Sequence, residues 1–111
     1  MKENKYVERA SYSWSKDSIR IINTPSNIAK KTYFYMQEVG YFKTQDSYFT
    51  ERKNLDSFLV IYTISGCGKL RYEENDYELC SGQCFFIDCQ TYHYYWTEKG
   101  KKWEFLWIHF N

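Results

Sequence analysis

Two histidines and four cysteines carry most of the reactive chemistry that this chain could perform. His93 and His109 could share a metal ion from different strands, but no HxH or HExxH clustering accompanies them. Two imidazoles fall short of the three or four ligands that a zinc site takes, so structural or ligand-bonding histidines are expected. Cys67, Cys80, Cys84 and Cys89 are separated by 12, 3 and 4 residues, which matches no zinc ribbon or knuckle built on close C-x-x-C pairs. Cys84 and Cys89 flank the apolar run Phe85-Phe86-Ile87, where cysteine serves as a small hydrophobe. In a reducing compartment all four are expected as free, buried or half-buried thiols. Cys89 and His93 could in principle form a nucleophile and base, but a strand-turn-strand path does not ensure their contact. The expectation is a protein that is not an enzyme, with no cofactor and no metal.

Binding chemistry is better supplied. Aromatic residues make up 22% of the chain, with 12 Tyr, 8 Phe and 4 Trp among its 111 residues. Aromatic side chains suit pleated, half-buried surfaces, and Tyr and Trp add a polar handle for a pocket wall. Flat apolar faces beside phenol and indole donors suit sugars, which present CH faces for stacking and hydroxyls for hydrogen bonds. The plainer alternative is that most of these rings fill a small barrel. The net charge of +1 gives no broad field to hold nucleic acid, so DNA binding by this segment itself is not expected. The polar start Met1-Lys2-Glu3-Asn4-Lys5 leads into no signal-peptide-like run, and no stretch has transmembrane length. A cytoplasmic location without membrane contact is expected.

Short strands separated by turns must position these residues. Residues 1–17 show no sustained period and read as an N-terminal arm, and residues 18–111 read as one domain. Ser18 to Asn23 reads as a strand closed by Thr24-Pro25-Ser26-Asn27, and Lys31 to Val39 alternates until Gly40 interrupts it. Lys43 to Ser47 reads as a loop. Phe58 to Ile64 is apolar on both faces and should lie centrally, ending at Ser65-Gly66-Cys67-Gly68. A hairpin follows with Tyr72 opposite Tyr77, Leu70 opposite Leu79, Arg71 opposite Glu78 and a four-residue loop at 73–76. Gln83 to Asp88, Tyr92 to Trp96 and Trp103 to Phe110 complete the set. Alternation puts Trp103, Phe105, Trp107 and His109 on one face. The fold class is all-β, a sandwich or barrel.

Gly66-x-Gly68, the Leu79-x-Ser81-Gly82 turn, the Phe85-Phe86-Ile87 strand and the late His93 together resemble a cupin. More closely, the sequence resembles the N-terminal effector-binding domain of AraC/XylS-family transcription regulators. The matching stretches are Glu51-Arg52-x-Asn54-Leu55-Asp56-Ser57, Tyr62-Thr63-Ile64-Ser65-Gly66-x-Gly68, Tyr92-His93-Tyr94-Tyr95 and Trp103 to Phe110. The resemblance implies a cupin-type double-stranded β-helix, or jelly-roll barrel. It also implies a small-molecule effector, foremost a sugar, and a C-terminal helix-turn-helix domain beyond this chain that contacts DNA. A homodimer is plausible for the full-length protein. The HxH…E ligands of enzymatic cupins are missing from Ser57 to Ile64, so a metal-free sensor is expected; a cupin isomerase or dioxygenase and a purely structural dimerisation module are the alternatives. By position, the resemblance assigns Arg52, His93, Tyr95, Phe105 and Trp107 to ligand binding. Arg52 would supply forked donors, Tyr95 a hydrogen-bonding wall, Phe105 an apolar floor and Trp107 a stacking platform, with His93 at the rim or interior. In such regulators the arm can fold over the occupied pocket, and Tyr12 and Trp14 are the residues placed to do so.

Overall fold

A computed structural model describes residues 6–22 and 35–111. The expected turn at Thr24 to Asn27 and the first part of the strand expected from Lys31 lie outside the described residues. The rest forms nine strands: β1 Val7–Ser11, β2 Ile19–Ile22, β3 Met36–Thr44, β4 Phe49–Lys53, β5 Phe58–Tyr72, β6 Asn75–Cys80, β7 Cys84–Asp88, β8 His93–Trp96 and β9 Trp103–Phe110. No helix among the described residues is long and apolar enough to cross a membrane.

All named pairings are antiparallel. They make two faces of a barrel, β1-β4-β8-β5-β6 and β2-β3-β9-β5-β7, joined through the long central strand β5. Residues 58–66 of β5 pair with β7 and β9, and residues 67–72 pair with β6 and β8. The apolar Phe58 to Ile64 run therefore lies centrally, as its two-sided pattern requires. It does not end at Gly66, however. A register shift between Thr63 and Ser65 bends the strand, which then continues into the opposite face.

The hairpin register differs from the sequence expectation by two residues. Tyr72 faces Asn75, Leu70 faces Tyr77 and Arg71 faces Asp76, while Lys69 faces Glu78. Glu73 and Glu74 both take positive φ, 51° and 66°, and make a tight two-residue turn whose twist matches that of the strands. A shift of two keeps every side chain on its face, so alternation alone could not expose it. The true register brings Cys67 directly opposite Cys80, with Cα atoms 4.1 Å apart, and the two form a disulfide. The expected register would have set Cys67 against Gly82. The expectation of four free thiols is thus corrected for this pair. Cys84 is free and exposed; Cys89 is free and buried, and burial pushes its thiol up to about 12, so it is inert.

Two further strands depart from expectation. Gly40 lies inside β3 because the Trp107 ring occupies the place of its missing Cβ, at 2.5 Å from an ideal Cβ position. Residues 7–11 of the expected arm form β1, paired along β4. The core consists of inward residues of both faces, among them Leu59, Ile61, Leu70, Ile87, Trp103 and Phe105. The inward alternation of Trp103, Phe105, Trp107 and His109 on β9 is present as the sequence indicated.

Candidate functional site

β4, β8 and β9 meet around a cavity of about 150 Å³ in the barrel. On β4 the alternation is inverted: Thr50 and Arg52 face inward and are buried, with Phe49 and Lys53 outward. Arg52 pairs across the ladder with His93, and Thr50 with Tyr95. This register sets a guanidinium, an imidazole and a phenol on one inner wall, and β9 brings His109 to it from the other face.

Arg52 is only 7% exposed. Its Nε–H donates to His93 Nε2 at 3.0 Å, Nη1 to His109 Nε2 at 3.2 Å, and Nη2 to the Tyr95 hydroxyl at 2.8 Å. The tautomers follow from the outer partners. His93 Nδ1–H donates to the Thr91 carbonyl at 2.9 Å, which leaves Nε2 as an acceptor. His109 Nδ1–H donates to Ser57 Oγ at 2.9 Å, and that hydroxyl donates to the Phe58 carbonyl. Burial, and after it the Arg52 charge, push His93 down to about 4 and His109 to about 3, so both are neutral near pH 7. Burial raises the Tyr95 phenol despite the Arg52 charge, and it stays protonated.

The rest of the wall is aromatic. Phe42, Tyr48, Phe105 and Trp107 line the cavity, with the Phe42 ring 5.1 Å from Trp107 and 5.8 Å from Phe105. Trp107 is 6% exposed, and its indole Nε1–H is buried without a hydrogen-bond partner. Tyr6, Glu8, Tyr12 and Trp14 line the mouth, where Trp14 lies 4.2 Å from Phe42. The Tyr6 and Tyr12 hydroxyls both donate to Glu8. Burial works against the Glu8 carboxylate, but those two bonds and the Arg52 charge outweigh it and lower its pKa. Arg20 and Glu38, also at the mouth, form an ion pair at 2.6 Å.

Four of the five residues assigned from sequence, Arg52, Tyr95, Phe105 and Trp107, line the cavity together. His93 does not: it is fully buried behind Arg52 and positions it. Phe42, Tyr48, Thr50 and Leu55 are further lining residues that the sequence reading did not assign to the site; of the four residues that alternation put on one face of β9, Phe105, Trp107 and His109 line the cavity and Trp103 does not. The run Thr50-Glu51-Arg52-Lys53 is polar on both faces, so it carries no alternation to mark Thr50 and Arg52 as inward and reads as an exposed edge strand.

Cupin enzymes hold a metal inside the barrel, and the residues present do not fit one. The ring nitrogens that could ligate it, His93 Nε2 and His109 Nε2, both accept from the Arg52 guanidinium, and a metal there would lie against a fixed cation. Among the described residues, the group of three potential ligands is Cys67, Glu78 and Cys80 on the β5–β6 hairpin, where the sulfurs are joined to each other.

Solved structures share this fold. A cupin superfamily protein from Desulfitobacterium hafniense is similar with TM-score 0.59 and 11% identity, over 84% of this chain and 76% of that one. The cupin_2 domain of an XRE family transcriptional regulator from Enterobacter cloacae gives 0.59 and 11%, over 94% of each chain. An HTH_3 family transcriptional regulator from Vibrio cholerae gives 0.58 and 21%, over 81% of this chain and 49% of that one. At these identities the likeness shows the fold, a cupin barrel. No curated protein matches the chain. The family described as AraC-like ligand binding domain matches residues 35–111, which include every strand from β3 to β9 and all five assigned residues, and the chain belongs to that family.

Proposed function

We propose that this domain is the non-enzymatic sensor half of a bacterial transcription regulator that works in the cytoplasm. It binds a small effector in the barrel cavity and passes the occupancy to a DNA-binding unit. The observation that carries this reading is the aromatic-walled cavity around Arg52, Tyr95, Phe105 and Trp107 in an AraC-like ligand-binding domain. Stacking faces on Phe42 and Trp107 beside the hydroxyls of Tyr48, Thr50 and Tyr95 suit a sugar or sugar derivative.

An effector shifts an equilibrium only by binding one arrangement better than another. Tyr6, Tyr12 and Trp14 reach the cavity mouth from the N-terminal segment, so a bound effector would touch β1 and its flanks and bias where they lie. The test is thermal shift and tryptophan emission of the purified domain against a panel of sugars and sugar acids. Binding that raises the melting point and is weakened by Trp107→Ala supports the reading. If no member of the panel stabilises the domain while Trp107→Ala stays folded, the carbohydrate assignment falls.

A further inference from the structure

Arg52 is a buried cation whose three hydrogen-bond partners are all neutral. His93 and His109 are unprotonated, Tyr95 is a phenol, and no carboxylate among the described residues forms an ion pair with Arg52. Removing a charge from water without a counter-ion costs several kcal/mol, and buried arginines are ordinarily paired with an anion. Of the acids that line the cavity, Glu38 holds Arg20. Glu8 stands opposite Arg52 in the β1–β4 ladder and feels its charge, but it is hydrogen-bonded by two tyrosines at the mouth and forms no ion pair with the guanidinium. A guanidinium has five N–H donors, and the three bonds leave one N–H on each terminal nitrogen, the number a bidentate acceptor takes. An independent observation points to the same space. Trp107, 94% buried by its 6% exposure, keeps an unpartnered Nε1–H and lines the same cavity.

We infer that the effector carries a carboxylate, seated on Arg52 and within reach of the Trp107 indole N–H, with its body against Phe42 and Phe105. This rests on the reading of the cavity as an effector site and narrows its ligand to small acids. The cavity of about 150 Å³ is the size that holds a benzene-sized guest, so the acid is small. A neutral sugar would leave the guanidinium without a direct ion-pair partner; a sugar acid or a small aromatic acid supplies one.

The experiment compares matched acids and neutral partners at low ionic strength: benzoate against benzamide, and D-galacturonate against D-galactose, with acetate as the minimal probe. Melting temperature and tryptophan emission are read for the wild type, Arg52→Gln and Trp107→Phe. At least one acid should stabilise the wild type and bind about tenfold or more tighter than its neutral partner. Arg52→Gln should abolish that preference, and Trp107→Phe should weaken binding while keeping it. Neutral partners binding as tightly as the acids would overturn the inference and leave the effector site standing. A preference for acids that survives in Arg52→Gln would overturn it too. If no acid, acetate included, stabilises the wild type up to about 100 mM, the inference falls; if the neutral compounds also fail, the effector-site reading falls with it.

Discussion

Trp103 and Trp107 stand four residues apart on the inner face of β9, yet they belong to different kinds of interior. Each lies over a glycine of a neighbouring strand, Trp103 on Gly68 and Trp107 on Gly40, where an added Cβ would strike the ring at 2.2 Å and 2.5 Å. Trp103 is fully buried, its indole donates to Thr63 Oγ1 at 2.9 Å, and it packs against Phe105 at 4.3 Å. Trp107 borders the cavity and its indole donor has no partner. Two residues of the same type, face and strand thus divide into a closed core and a cavity wall whose indole donor is unpaired. The polar accounting of each neighbourhood, rather than burial, separates them, because buried donors are almost always paired.

Ways to break that comparison begin with the core. Trp103→Ala should cost about 3–5 kcal/mol in denaturant unfolding, since it empties the closed half of the barrel and orphans Thr63. Acid comes next and acts on the other half. The folded pKa values of His93 and His109 are depressed, to about 4 and about 3, from an ordinary 6.5. Their contribution is present above pH 6.5 and is lost as pH falls towards those values, because the unfolded chain takes up the protons first. Each imidazole should remove up to about 1.4 kcal/mol per pH unit through that window. Denaturation midpoints between pH 7 and 4.5 test this, with NMR showing both rings neutral at pH 6; a flat profile would mean that the Arg52 wall is not the closed, neutral cluster described.

Reduction of Cys67–Cys80 should lower stability by about 2–4 kcal/mol, an effect on the closed half that carries Gly68 and Trp103. Alkylation of the denatured, unreduced chain should modify Cys84 and Cys89 alone, and four modified thiols would remove the bridge. The smallest effect is expected at the wall. Trp107→Phe should cost less than about 1.5 kcal/mol, since it gives up a donor that has no partner and keeps a ring over Gly40. Equal losses for Trp103→Phe and Trp107→Phe would erase the distinction.

The sequence by itself determined an all-β chain, a sandwich or a barrel, and the resemblance of its motifs to a cupin selected the barrel. The short alternating runs, the two-sided apolar β5 and the alternating aromatics of β9 each encode which face is buried. The family resemblance, carried over by position, named Arg52, His93, Tyr95, Phe105 and Trp107 as candidate site residues, and the structure brings all but His93 to the lining of one cavity. What alternation cannot encode is register in steps of two, which is why the β5–β6 pairing and the Cys67–Cys80 bridge escaped it. Nor can it read β4, whose polar Thr50 and Arg52 face inward while its aromatic Phe49 faces out; polarity signals exposure until a partner is known. The tertiary structure alone decided that Arg52 is buried among neutral groups from β8 and β9, that His93 supports it from behind, and that one of two like tryptophans keeps an open donor. Those are properties of side chains far apart in the chain and within hydrogen-bond reach in space, and only the closed barrel sets their distances.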